Sequence, residues 1–275
     1  MVGNAELTLV IPTIFLHMSI GATFLLAFMK LTSPDFGVSS EGVMVEKQVV
    51  FFSMIIAGLS MLAALTHLGH PLGAWTMAFK NLPASWLGWE SLFYLLFLVS
   101  LVAYYLTGGG ALNALVMMTT GGLAVLTGAM IYSNMASVPA WAGPATIATF
   151  VITFLLLGAA FLSLFLAGRL ADGGGSMGPI TQAFGMTSKL IILLIIGALV
   201  VTVMGGNASG EMFLPRLVLG IAIPLVIAFL AMSAENKVPH VIGILVLLVV
   251  GEILGRAMFY ATASLAPMGG NGALY

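Results

Sequence analysis

Ionisable side chains that could take part in proton transfer stand close together in one connecting segment of an otherwise apolar chain. His67 opens the segment and is followed by Leu68-Gly69-His70-Pro71, Lys80 lies in its middle, and Glu90 follows Ser85-Trp86-Leu87-Gly88-Trp89. A charged side chain at bilayer depth is costly, and such groups usually line a pathway or a binding site. Histidine exchanges protons near neutral pH, and a carboxylate can act as a general acid or base. This segment is therefore the first candidate for a functional site.

The composition of the chain is that of an integral membrane protein. Of its 275 residues, 61% are hydrophobic and only 6% are Asp, Glu, Lys or Arg, whereas soluble domains are about 45–50% apolar and about 25% charged. The net charge of -1 offers no basic surface for nucleic acid. Cysteine is absent, which excludes disulfides, thiolate zinc sites and an iron–sulfur cluster bound by this chain.

Apolar stretches long enough to cross a bilayer, which takes about 20 residues per helix, recur along the whole sequence. The first has no positively charged region before it and is expected to be a retained helix rather than a signal peptide. We therefore predict an all-α integral membrane protein, with residues 1–275 forming a single domain built as a bundle of eight transmembrane helices. The predicted spans lie near 7–30, 48–68, 88–107, 111–133, 145–169, 184–205, 213–233 and 239–261.

The distribution of Lys and Arg predicts the orientation of the bundle. With eight spans, both termini lie on one side of the membrane, and the basic residues divide unevenly between the two sides. The side of the termini takes three and the other side five, namely Lys80, Arg216 and Arg256 against Lys30, Lys47, Arg169, Lys189 and Lys237. Because Lys and Arg are enriched in cytoplasmic loops, we expect both termini to be periplasmic. The segment from His67 to Glu90 then faces outward as well.

A carboxylate and a guanidinium stand one helical turn apart in the last span. Glu252 and Arg256 occupy positions i and i+4, which places them on one helix face, close enough to pair. A structural ion pair and a functional one both remain open, because a buried couple costs desolvation and seldom adds stability. Counted from Pro239 at 1.5 Å per residue, Glu252 lies roughly 20 Å along its helix, a depth similar to that of His67 and Glu90. This convergence in depth favours one shared site.

Other polar and aromatic residues carry less weight. Tyr132, at the end of the fourth span, suits an interfacial tyrosine better than a ligand contact. His17 lies inside the first span, where packing is favoured over ligation, and His240 is predicted to be interfacial. An opposed pair of His17 and His67 could ligate a b-type haem, and this alternative stays open. The tryptophans, Trp141 among them, suit either an interfacial belt or a surface for a partner.

Short motifs fall in order along nearly the whole chain. They are His67-Leu68-Gly69 with Pro71 and Ala74, Asn81-Leu82, Ser85-Trp86-Leu87 leading to Glu90, Tyr132-Ser133, Val138-Pro139 with Trp141, and Gly251-Glu252-Ile253-Leu254-Gly255-Arg256 with Phe259-Tyr260. In these residues the chain resembles the dimethyl sulfoxide reductase membrane-anchor family. The expected eight spans with external termini agree with that family.

The resemblance implies a quinol-oxidising anchor in a bacterial or archaeal cytoplasmic (inner) membrane. Menaquinol, bound as a substrate, would give two electrons to an iron–sulfur electron-transfer subunit, which serves a molybdopterin catalytic subunit. Both partners would lie on the periplasmic side, and protons would be released outward. By this resemblance His67 and Glu90 would be the catalytic residues and bind the quinol. Apart from the resemblance, we expect Tyr132, Glu252 and Arg256 to be further binding residues, with Glu252 and Arg256 shaping the pocket around Glu90. No haem, iron–sulfur cluster or metal is expected in this chain.

Other classes of function stay open at this point. A proton-coupled secondary transporter could use His67, Glu252 and Arg256 as a relay, although the sequence has no internal repeat of the kind that marks inverted-repeat transporters. A cytochrome b-type quinol subunit would show the absorption of a haem. A purely structural anchor would bind no quinol analogue.

Overall fold

The computed structural model describes residues 4–66, 73, 76, 79–80, 82, 84–173, 177–204 and 211–264, and within these ranges the regular structure is helical. A π-helical turn, Val218–Ala222, joins two of the helices. The helices in chain order are α1 (Asn4–Thr32), the short α2 (Pro34–Val38), α3 (Ser40–Leu65), α4 (Trp86–Thr107), α5 (Ala111–Ser133), α6 (Pro144–Asp172), α7 (Met177–Met204), α8 (Phe213–Leu217), α9 (Ile223–Ser233) and α10 (Val238–Ser264).

Eight helical segments in the described part of the chain are long and apolar enough to span a membrane, as predicted. The seventh of them, Phe213–Ser233, combines α8, the π-helical turn and α9. The chain is thus a multi-pass membrane protein. We call the side on which α1 begins and α10 ends the termini face, and the other side the opposite face.

The second and sixth spans begin earlier than the apolar runs indicate. α3 begins at Ser40, where Ser39 accepts a hydrogen bond from the Gly42 N–H at 3.1 Å and caps the helix. The first turns of α3 carry Glu41 and Glu46, which hydropathy excludes from a span. Both carboxylates form ion pairs with neighbouring helices, so the helix continues through polar residues at the opposite face.

Helices α1 and α6 form the centre of the bundle. Most of the residues in these two spans are buried in protein, whereas α3 and α4 turn most of theirs outward. The two central helices touch at Gly21 and Gly158, where a Cβ atom on Gly158 would lie 2.1 Å from the carbonyl carbon of Gly21. Small residues permit such backbone contact between membrane helices. The contact fixes the register of α1 against α6 close to the site described below.

A second close approach orients α10. A Cβ atom on Gly251 would lie 2.2 Å from the Cα atom of Gly220, so the π-helical turn and α10 meet through their backbones. Glu252, the next residue of α10, is then directed toward α6, where it meets Thr153. The polar residues of α10 therefore point into the bundle rather than toward lipid.

Candidate functional site

Glu90 lies at the start of α4 on the termini face. Ser85 caps this helix by accepting a hydrogen bond from the Gly88 N–H at 3.4 Å, so Glu90 falls in the second turn. Its half-buried side chain lies against α5 at Gly128, where a Cβ atom would be 2.4 Å from Oε1 of Glu90. The absence of a side chain at Gly128 therefore makes room for the carboxylate.

Tyr94 stands one turn further along α4, beside Glu90. Its buried hydroxyl is near enough to the Glu90 carboxylate to interact electrostatically, yet it is not placed in hydrogen-bonding geometry. No other group among the described residues bonds to this hydroxyl. A buried polar group left unsatisfied costs about 1–3 kcal/mol. The tyrosine thus interacts with Glu90 but makes no hydrogen bond of good geometry among the described residues.

Arg256 approaches the same region from α10. It is 3% exposed, and its guanidinium carbon lies 3.7 Å from the centre of the Phe150 ring on α6. Its Nη2 is 3.4 Å from Nδ1 of His17 on α1, and its Nε has no partner among the described residues. Arg256 is within electrostatic range of Glu90, but it forms no salt bridge with a carboxylate in the part of the chain described.

The predicted ion pair between Glu252 and Arg256 is wrong. Glu252 instead accepts a hydrogen bond from the Thr153 hydroxyl at 2.7 Å and lines a cavity of about 20 Å³ together with Arg216 and Gly255. Space of this size holds about one water molecule. Although the two side chains share a helix face, they contact different partners. The Glu252 carboxylate bonds the Thr153 hydroxyl, whereas the Arg256 guanidinium contacts an aromatic ring and an imidazole.

A cluster of aromatic side chains lies beside Glu90 and Arg256 on the termini face. The hydroxyl of Tyr132 lies 2.9 Å from that of Tyr260, and the Trp141 ring stacks on Phe259 with ring centres 5.0 Å apart. Trp141 also donates its Nε1–H to the Phe259 carbonyl at 2.7 Å. At 7% exposure, Trp141 forms neither an interfacial belt nor a partner surface, so both interpretations were wrong for this residue. It holds the loop after α5 against α10.

The structure brings together three of the predicted site residues. Glu90, Tyr132 and Arg256 interact electrostatically with one another, and Glu252 lies in the adjoining small cavity. Tyr132 is half-buried in the aromatic cluster rather than at the interface, where the sequence placed it. His67 lies outside the described residues, as does most of the segment between it and Ser85.

Two residues at this site were missed or undervalued by sequence reasoning. Tyr94 carried a usable signal, since it stands four residues after Glu90 and therefore on the same helix face. His17 was assigned to packing, and its only signal was that it is an ionisable group at membrane depth. The identity of the helix facing His17 could not be obtained from the sequence.

The arrangement suits a flat molecule with polar substituents. Tyr132 and Phe150 line the site with aromatic rings, Glu90 offers a hydrogen-bond acceptor, and Tyr94 and Arg256 offer donors. The described residues contain no cluster of three or more His, Asp or Glu side chains able to hold a metal ion. Glu90, Tyr94 and Arg256 can make hydrogen bonds, and Glu90 can transfer a proton.

Comparison with known proteins agrees with the motifs noted in the sequence. A family model described as the DMSO reductase anchor subunit (DmsC) matches residues 1–262 of the chain. No curated protein matches the chain at a significant level. The family match spans all eight transmembrane segments and confirms the resemblance. The chain therefore belongs to the DMSO reductase anchor subunit (DmsC) family.

Proposed function

We propose that this anchor subunit binds menaquinol near Glu90, Tyr94 and Arg256 and oxidises it. Electrons pass to an iron–sulfur subunit docked on the termini face, and protons leave on the periplasmic side of the cytoplasmic membrane. One observation carries the proposal. A buried phenol and a buried guanidinium nitrogen, neither of which makes a hydrogen bond of good geometry among the described residues, belong to the same polar cluster as the carboxylate of Glu90.

A hydroquinone has the chemistry that this cluster would satisfy. It is a flat ring with a hydroxyl group at each end, and each hydroxyl both donates and accepts hydrogen bonds. Glu90 accepts from one hydroxyl, while Tyr94 and Arg256 donate to the ring oxygens. The isoprenoid tail of a menaquinol is apolar and suits the lipid-facing surfaces of α3 and α4.

Oxidation of a quinol breaks two O–H bonds and removes two electrons and two protons from the ring. Glu90 takes the proton of one hydroxyl as a general base, and Arg256 stabilises the negative charge that develops on an oxygen as its proton leaves. On the family resemblance, His67 takes the second proton. The two electrons leave the ring one at a time to the iron–sulfur subunit, whose clusters would each carry one electron, and the quinol becomes a quinone.

The test is the Glu90→Gln variant in the complete complex, with Glu235→Gln as its control. Glu235 is an exposed carboxylate in the loop before α10 on the opposite face. Loss of a general base lowers a rate by about 100-fold or more, so quinol-dependent reduction of the iron–sulfur subunit should fall by that factor in Glu90→Gln alone. Both variants should assemble with their partners. Full turnover in an assembled Glu90→Gln complex would contradict the proposal.

Two further results would point to other functions. Wild-type complex that assembles but neither binds nor oxidises quinol would identify a structural anchor. Solute uptake coupled to protons, in vesicles containing this chain alone, would identify a transporter.

A further inference from the structure

His17 is an ionisable side chain buried in the centre of the bundle, 1% exposed. Its ring meets the edge of Phe150 with ring centres 5.6 Å apart. Its Nδ1 lies 3.4 Å from Nη2 of Arg256. The same guanidinium therefore touches two residues at once, His17 on α1 and Phe150 on α6.

The direction of the hydrogen bond follows from the chemistry of the pair. A guanidinium has only donors, and it remains protonated in proteins. Nδ1 of His17 must therefore accept the hydrogen bond, which places the ring hydrogen on Nε2. In this arrangement His17 does not take a proton from the substrate at Nδ1, because that nitrogen is already engaged by Arg256.

A backbone contact between α1 and α6 fixes the position of His17 relative to Phe150. Gly21 lies one turn after His17 on α1, and a Cβ atom there would be 1.7 Å from the carbonyl oxygen of Phe154 on α6. Phe154 lies one turn after Phe150. The direct backbone contact thus sets where His17 stands relative to Phe150, and both side chains set where the guanidinium of Arg256 lies.

We propose that His17 is a positioning residue of the quinol site. It holds the Arg256 guanidinium over the Phe150 ring, so that the unpartnered Nε–H of Arg256 is presented to a quinol oxygen. Because the donor is already in place, the side chain does not have to move when negative charge develops on the quinol oxygen. Donors positioned in this way give the strongest electrostatic stabilisation of a transition state. The inference rests on the proposed function and adds a residue that acts through Arg256.

Two competing roles for His17 make different predictions. If His17 only fills space, an apolar residue of similar size replaces it without loss. If His17 accepts a proton, no amide side chain replaces it. If His17 positions Arg256, a side chain that places a hydrogen-bond acceptor where Nδ1 lies is enough to replace it.

The experiment compares His17→Asn, His17→Gln and His17→Leu in the complete complex. Asn places an amide oxygen close to the position of Nδ1, Gln places it nearer to Nε2, and Leu has no acceptor. We measure the KM and kcat of quinol oxidation and the affinity for a quinol-analogue inhibitor. Loss of one positioned hydrogen bond is expected to weaken inhibitor binding and to lower kcat/KM about tenfold in the Leu and Gln variants. The Asn variant is expected to stay within about threefold of the wild type.

Each outcome decides the question. Wild-type behaviour of His17→Leu would overturn the proposal in favour of packing. Equal loss in all three assembled variants would overturn it in favour of proton acceptance. If the Leu variant does not assemble, the comparison of Asn with Gln decides, and equal values for these two would contradict a positioning role. A wild-type complex that does not oxidise quinol, or full activity in Glu90→Gln, would instead refute the proposed function itself.

Discussion

A single methyl group added at Gly128 should disable the site by displacing Glu90. In Gly128→Ala the new Cβ atom would lie 2.4 Å from Oε1 of Glu90, 3.2 Å from its Cδ and 3.7 Å from its Cγ. Only the end of the side chain is too close, and that end is flexible. The carboxylate can therefore withdraw from α5 while the helices stay in place.

The size of the effect follows from how far the carboxylate must move. Ordinary van der Waals contact begins at 3.4 Å, so the oxygen has to withdraw by about 1 Å, and a misplacement of that size can lower a rate about 100-fold. We expect kcat/KM for quinol oxidation to fall between tenfold and about 100-fold, or about 1.4–2.8 kcal/mol. Stability should not fall, because alanine is favoured over glycine in a helix by about 1 kcal/mol.

Gly122→Ala is the matched control for this variant. Gly122 stands on the same helix, and a Cβ atom there would be 3.5 Å from the Phe24 ring, which is ordinary contact. Both substitutions bring the same gain in helix propensity, and only one of them reaches Glu90. The assay is steady-state quinol oxidation by the purified complex, with thermal unfolding in parallel. Equal turnover in the two variants would refute the placement of Glu90 at the quinol site.

Two further predictions test the role of the Tyr94 hydroxyl and the orientation of the chain in the membrane. Tyr94→Phe removes a buried hydroxyl that interacts with Glu90 but makes no hydrogen bond of good geometry among the described residues. We therefore expect little change in thermal stability together with about fivefold to tenfold weaker binding of a quinol analogue. A loss of stability with unchanged binding would contradict a ligand role. Because the natural chain has no cysteine, Ser137→Cys and Glu235→Cys introduce single thiols at exposed positions on the termini face and the opposite face. An impermeant maleimide added to intact cells should label Ser137→Cys only, and the reverse pattern would overturn the assignment of the termini to the periplasm.

The number of membrane spans could be predicted from the sequence because it depends on the length of apolar runs. A helix crossing a bilayer needs about 20 apolar residues, and such runs are interrupted here by turn residues and charges. The predicted helix ends were least accurate at α3, which begins at Ser40. Its first turns contain Glu41 and Glu46, and their partners, Arg169 and Lys30, come from other helices. A single-sequence hydropathy pattern contains no information about those partners.

Only the ionisable residues of the site could be predicted from the sequence, because charged groups are rare in this chain. Glu90 and Arg256 stood out because ionisable groups are rare at membrane depth. Spacing placed Glu252 and Arg256 on one helix face, but it could not show that Thr153 and His17 would be their nearest partners. The role of His17 depends on which helix crosses α1 beside it, and that is decided by contacts between residues far apart in the sequence.

The opposite face supplies an internal comparison that supports the function proposed for the termini face. There, Lys30 pairs with Glu46 at 2.7 Å, and the Tyr104 hydroxyl donates to the same carboxylate at 2.7 Å. Arg169 likewise bonds Glu41. The helices that carry these pairs also pass the site, so the bundle is able to satisfy buried charges. Beside Glu90, by contrast, the Tyr94 hydroxyl and the Arg256 Nε make no hydrogen bond of good geometry among the described residues. At about 1–3 kcal/mol each, they are a cost to stability that a bound quinol would offset.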